Sequence, residues 1–167
     1  MRSTAKDRDD AAVGGGVAVP PESLLGYRLW QASHLWQRQV GRQLKPLGLT
    51  PVQYVLLAAA NRLVSLGEAP SQIRIADYTG IEKMMVSKNL RALAAAGYVS
   101  RTACEEDRRV VEVRLTRAGK DVLQRAFAAA RVAHDSFFCF LGQDRKRMNA
   151  LLRLLIHGYR DQRRAAD

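Results

Sequence analysis

Between Gln72 and Gly119 the hydrophobic period switches from that of a helix to that of a strand, which restricts the available folds more than any other feature of the chain. Ser71 is a helix N-cap residue type, and Ile73, Ile75, Ala76 and Tyr78 follow it in a short helix. Thr79 and Gly80 make a turn, with Ile81 facing inward. A second helix runs from about Lys83 to Ala96. Its Val86, Leu90 and Leu93 recur at three- and four-residue steps toward a core, and Gly97 takes the C-terminal glycine position. Then Val99, Val111, Val113 and Leu115 alternate with Ser100, Arg101, Glu112 and Arg114, the mark of strands with one covered face. The strands, near Tyr98 to Thr102 and Val110 to Leu115, form a hairpin tipped by Glu105, Glu106, Asp107, Arg108 and Arg109.

Helical periodicity also fills the flanks. A long first helix from near Glu22 carries Leu24, Leu25, Leu29, Ala32, Leu35, Trp36 and Leu44, and ends at Pro46 and Gly48. Thr50, Pro51 and Gln53 form a capping-box pattern that opens a strongly apolar helix to about Val64, expected to be buried on most sides. Thr116 caps a helix that passes through Val122, Leu123, Phe127 and Val132 to the run Phe137, Phe138, Phe140, Leu141, where Gly142 breaks it. A last helix from about Asp144 holds Met148, Leu151, Leu152, Leu154, Leu155, Ile156 and Tyr159 and frays from Arg160 onward. Residues 1–21, with Gly14, Gly15, Gly16, Pro20 and Pro21, read as a disordered tail. The fold class is mainly α with a small β-hairpin, in the order α-α-α-α-β-β-α-α. The terminal helices carry more apolar surface than the central unit can cover, so a symmetric homodimer is expected.

Charge narrows the partner. The 167 residues hold 27 Lys plus Arg against 16 Asp plus Glu, a net charge of +11, which favours a polyanion without naming one. No apolar run reaches the roughly 18 residues of a membrane span, and the N-terminus has no signal-peptide core, so the expected place is the cytoplasm, with no membrane partner. Cys104 and Cys139 are too few for a disulfide scaffold and are not spaced as a metal site; neither metal nor cofactor is expected. His34, His134 and His157 lie on separate segments without clustered carboxylates, and no phosphate-cradling glycine loop occurs, so no enzyme is expected.

In a helix-turn-helix the second helix enters the major groove with its early residues nearest the base edges. Here those are Lys83, Met84, Met85, Ser87, Lys88 and Asn89, followed by Arg91. The lysines suit phosphates or guanine acceptors, Ser87 and Asn89 both donate and accept, and a methionine offers an apolar surface to a thymine methyl. At the hairpin tip Arg108 and Arg109 suit a narrow minor groove, with Asp107 orienting one of them.

These residues resemble the MarR family of winged-helix transcriptional regulators, from about Glu22 to Arg160. Leu49, Thr50, Gln53, Tyr54 and Leu57 are similar to the opening of the family's second helix. Ile75, Ala76, Gly80, Ile81, Lys83, Val86, Ser87, Lys88, Leu93, Gly97 and Val99 are similar to its helix-turn-helix. Asp107, Arg109, Val113, Leu115, Thr116 and Gly119 are similar to its wing and the helix after it. Ala94 departs from the pattern, in which an acidic residue is common there. The resemblance implies a winged helix-turn-helix domain over 22–160, with a DNA-binding lobe at 49–119 and dimerisation helices at 22–46 and 117–163. It also implies that Arg109 enters the minor groove with Asp107 as its support, and that the partner is a pseudo-palindromic double-stranded operator.

Family members commonly act as repressors released by a small aromatic or phenolic ligand held between dimer arm and DNA-binding lobe. Tyr27, Arg28, Trp30, His34, Arg38 and Tyr54 are the candidates here, because an arginine beside aromatic rings suits an anionic ring. Two alternatives stay open. One is an architectural DNA-binding protein without effector. The other is a cysteine-based redox regulator, although Cys104 stands beside two acids that oppose thiolate formation and Cys139 reads as a small core residue.

Overall fold

The computed structural model describes residue 20, residues 23–103 and residues 110–166. The expected disordered tail, apart from Pro20, and the hairpin tip from Cys104 to Arg109 lie outside the described residues. In order come α1 (Leu25–Leu44), α2 (Pro51–Ser65), α3 (Gln72–Thr79), α4 (Lys83–Ala95), β1 (Val99–Ala103), β2 (Val111–Leu115), α5 (Arg117–Phe137) and α6 (Asp144–Ala166). Short 3-10 turns occupy Lys45–Leu47 and Cys139–Leu141. The chain is mainly α with a two-stranded hairpin, as expected. It divides into two compact units, 1–34 and 35–167.

Local chemistry sets the helix starts. Thr50 accepts from the Gln53 amide at 3.2 Å while the Gln53 side chain accepts from the Thr50 amide at 2.9 Å, the reciprocal capping box. Ser71 caps α3 by accepting from the Arg74 amide at 3.2 Å, and Thr116 caps α5 by accepting from the Gly119 amide at 3.0 Å. The core of the larger unit is built from Leu44, Leu56, Leu57, Leu63, Ile75, Val86, Leu90, Leu93 and Val113, all fully buried. Val86, Leu90 and Leu93 thus fix which face of α4 turns outward.

β1 and β2 pair antiparallel with Val99 opposite Leu115 and Ala103 opposite Val111. A third segment joins them: the Val113 amide donates to the Pro70 carbonyl at 2.9 Å, and Ser71 bridges to Glu112. The loop before α3 therefore shields one edge of the hairpin and ties it to the helix pair.

Five expectations are corrected. Arg101 does not alternate outward with Ser100; it shares the covered face with Val99, as a period of two requires, and is half-buried with Nη2 donating to Gln72 Oε1 at 3.3 Å. α2 is not buried on most sides, since Val55 and Val64 are exposed. α5 ends at Phe137, not Leu141, because the backbone tightens into the Cys139–Leu141 3-10 turn once Phe137 and Phe138 have both packed on Trp36. Cys139 is consequently exposed rather than core, its Sγ donating to the Ser136 carbonyl at 3.1 Å. Finally, α6 continues past Arg160 to Ala166.

Candidate nucleic-acid interface

The turn between α3 and α4 is held by one residue. Thr79 Oγ1 donates to the Ile75 carbonyl at 2.7 Å and accepts from the Ile81 amide at 3.3 Å. Gly80 follows with φ 72°, a left-handed value that costs glycine little, and its amide closes α3 onto the Ala76 carbonyl at 2.8 Å. From outside the lobe, Arg160 of α6 donates to the Tyr78 carbonyl at 2.8 Å, placing a cation at the negative end of α3. Arg160 reads as part of a fraying end in the sequence, since a contact across 82 positions has no local signal.

α4 presents the predicted reading face. Lys83, Met84, Met85, Lys88 and Arg91 are exposed, and Met84 is 76% exposed, a large apolar side chain that the fold makes no attempt to cover. Ser87 is half-buried on the same face. Asn89 is half-buried too, and its Nδ2 donates one of its two hydrogens to the Met85 carbonyl at 2.9 Å, which steadies the amide on its own helix while the second N–H and the oxygen remain to offer. Glu82 stands at the N-cap without a side-chain capping bond, which leaves first-turn amides beside Lys83 for an anion such as a phosphate. The predicted wing residues Asp107, Arg108 and Arg109 lie outside the described residues. The strands that carry them are anchored: Thr116 Oγ1 donates to the Gly97 carbonyl at 2.7 Å and the Thr116 amide to the Tyr98 carbonyl at 3.1 Å.

Tyr27, Trp30 and His34 stack along one stripe of α1, with centroids 6.1 Å and then 4.8 Å apart. Arg28 and Arg38 are exposed. Tyr54 meets a different ring, Phe127, edge-on at 5.9 Å, and burial pushes its phenol above the usual range. Trp36 packs with His134, Phe137 and Phe138. Among the described residues no cluster of His, Cys, Asp and Glu could hold a metal ion, and no helix is long and apolar enough to cross a membrane.

Comparisons with known proteins meet this geometry. The MarR family model matches residues 49–111. An uncharacterised helix-turn-helix-type transcriptional regulator of Bacillus subtilis, YdcH, is 32% identical over 137 residues, covering 82% of this chain and 93% of its own. Among solved structures, the Mycobacterium tuberculosis transcriptional regulator MosR in complex with DNA is 25% identical with a TM-score of 0.70, covering 84% of this chain and 98% of its own. BpsR of Bordetella bronchiseptica, whose structure concerns regulation of its DNA binding by 6-hydroxynicotinic acid, is 24% identical with a TM-score of 0.71, covering 78% of this chain and 97% of its own. The outward cationic face of α4, the turn that aims it and the hairpin behind it are thus those of a known architecture, and the chain belongs to the MarR family of winged helix-turn-helix, DNA-binding transcriptional regulators.

Proposed function

We propose that the chain is a homodimeric, sequence-specific repressor whose DNA-binding lobe spans 49–119 and whose arms, 22–46 and 117–163, join two subunits. The observation that carries this reading is the α4 face, where exposed methionines stand among lysines and Ser87. A protein that needed only phosphate contacts would gain nothing from uncovered Met84; an apolar contact to a thymine methyl uses it. Lys83, Met84, Met85, Ser87, Lys88, Asn89 and Arg91 are assigned to the major groove. By the family resemblance, Arg108 and Arg109 are assigned to the minor groove with Asp107 in support. A dimer of such heads binds a pseudo-palindrome with half-sites about one helical turn apart. Leu151, Leu154, Leu155, Ile156 and Tyr159, all exposed on α6, are the surface assigned to the second subunit.

Release by a small aromatic acid completes the reading. The regulation of BpsR by 6-hydroxynicotinic acid supports that class, and by the family resemblance Tyr27, Arg28, Trp30, His34, Arg38 and Tyr54 are assigned to it; Tyr27, Trp30 and His34 stack along α1. Such a ligand acts only by favouring a head spacing that no longer fits the operator. Cytoplasmic location follows from this role.

Arg109→Ala is expected to weaken operator binding by about 1–3 kcal/mol, the scale of a specific base contact. Unchanged affinity in a gel-shift titration at fixed salt would remove the wing assignment. Lys88→Ala should lower the slope of log K against log salt by about one, as loss of a phosphate contact requires. An unaltered slope would assign Lys88 to a base or to neither.

A further inference from the structure

α3 is a short helix to aim another. Its 8 residues make about two turns, too few to hold their shape without outside partners. At its end the Thr79 hydroxyl donates to the Ile75 carbonyl and the Gly80 amide to the Ala76 carbonyl. The Tyr78 carbonyl, at the threshold of the turn, has Arg160 Nη2 as its donor at 2.8 Å. On the far side of the turn, Glu82 makes no side-chain capping bond at the start of α4. The turn that sets the direction of α4 is therefore held mainly from the α3 side.

α6 brings its guanidinium to that point without sharing the core of the lobe. Among the described residues, none from α6 belongs to the hydrophobic cluster that α2, α3, α4 and the hairpin build. Every residue from Arg153 to Tyr159 is exposed, whereas Arg160, next along, is half-buried. The exposed Leu151, Leu154 and Leu155 are the surface assigned to the second subunit, and the helical rise carries Arg160 about 7–8 Å beyond Leu155. The bond to Tyr78 thus runs from an arm element to the backbone that aims the reading helix.

We propose that Arg160 is a positioning residue for DNA reading: it ties the end of α6 to the turn after α3 and so selects the orientation in which α4 meets the operator. The inference rests on the reading of α4 given above and assigns Arg160 no contact with DNA. A rigid, planar guanidinium holds a direction as well as a distance, which suits a strut. Without it, fewer molecules hold the competent orientation, and apparent affinity falls by that fraction. A DNA that needs no particular orientation of α4 is bound as before.

The test titrates the duplex best enriched from a random pool, and bulk random DNA, with the full chain and its variants. Arg160→Gln should bind the enriched duplex about fivefold more weakly, the scale of one net hydrogen bond. Its affinity for random DNA and its salt slope should change no more than those of Arg163→Gln, which removes the same charge from the exposed end of the same helix. Arg160→Lys keeps a cationic donor and should recover most of the loss. In the DNA-free protein, nuclear magnetic resonance should show the Gly80 and Ile81 amides moving in Arg160→Gln and not in Arg163→Gln, with sedimentation as in wild type. Unmoved amides would overturn the proposal, and so would altered assembly. An equal loss on both DNAs with a salt slope lowered by about one would also overturn it, making Arg160 a phosphate contact. Absence of any preference in wild type would remove the reading of α4 instead, and the two amides would still decide whether Arg160 holds the turn.

Discussion

Gly119→Ala should lower the free energy of unfolding by about 3 kcal/mol, because the first turn of α5 lies against the backbone of Tyr98. A Cβ at position 119 would overlap the Tyr98 carbonyl oxygen and lie 2.9 Å from its carbon. Neither atom can turn aside as a side chain can. α5 must move away, and the movement pulls on two hydrogen bonds, Thr116 Oγ1 to Gly97 and the Thr116 amide to Tyr98. Each contributes about 1 kcal/mol, against which the better helix propensity of alanine returns at most about 1. Because Tyr98 immediately precedes β1, the same shift re-aims the hairpin, so operator affinity should fall even where the variant remains folded. Urea denaturation checks the first effect and gel-shift titration the second. Gly26→Ala is the control: nothing lies within 4 Å of its added carbon, so it should be neutral or stabilising. Loss of less than about 0.5 kcal/mol in Gly119→Ala would mean that the start of α5 is not held rigidly against Tyr98.

The second large effect concerns the surface that the fold leaves bare. Leu151 and Leu154 on α6 are 57% and 71% exposed, and Leu155 beside them is exposed as well. Leu151→Glu with Leu154→Glu should abolish dimerisation while leaving the lobe folded, since neither residue belongs to its core. Two heads joined in one dimer bind the second half-site as an intramolecular step, so their separation should cost operator affinity by on the order of 10²–10⁴-fold. Sedimentation should report a monomer, and unchanged urea stability of the lobe would show that the loss is one of assembly. A variant that stays dimeric and binds normally would place the dimer contact elsewhere.

Local chemistry accounts for what the sequence made legible. Thr50 with Gln53, Ser71 and Thr116 each announce a helix within four residues, and Val86, Leu90 and Leu93 reveal which face of α4 must turn away from solvent. The reading face follows by subtraction. What escaped was non-local or decided by competition. Nothing near Pro70 signals that its carbonyl will pair with Val113, and Arg101 reads as a surface cation until Gln72 is brought beneath it. The end of α5 was misplaced because an apolar run cannot say which of Phe137, Phe138 and Phe140 meets Trp36; Phe140 is left 91% exposed. The bond from Asn89 to the Met85 carbonyl has no sequence signal either, because its partner is the backbone of its own helix.

The central claim is that α4 reads base sequence, and competition tests it most directly. The duplex best enriched from a random pool would be titrated against bulk random DNA at fixed salt. The account predicts a pseudo-palindromic site with half-sites about one helical turn apart, and a preference of about 10³ or more over random DNA, reduced by Ser87→Ala and Met84→Ala. A preference near one, unchanged by those two substitutions, would contradict it and leave a protein that binds DNA by charge alone.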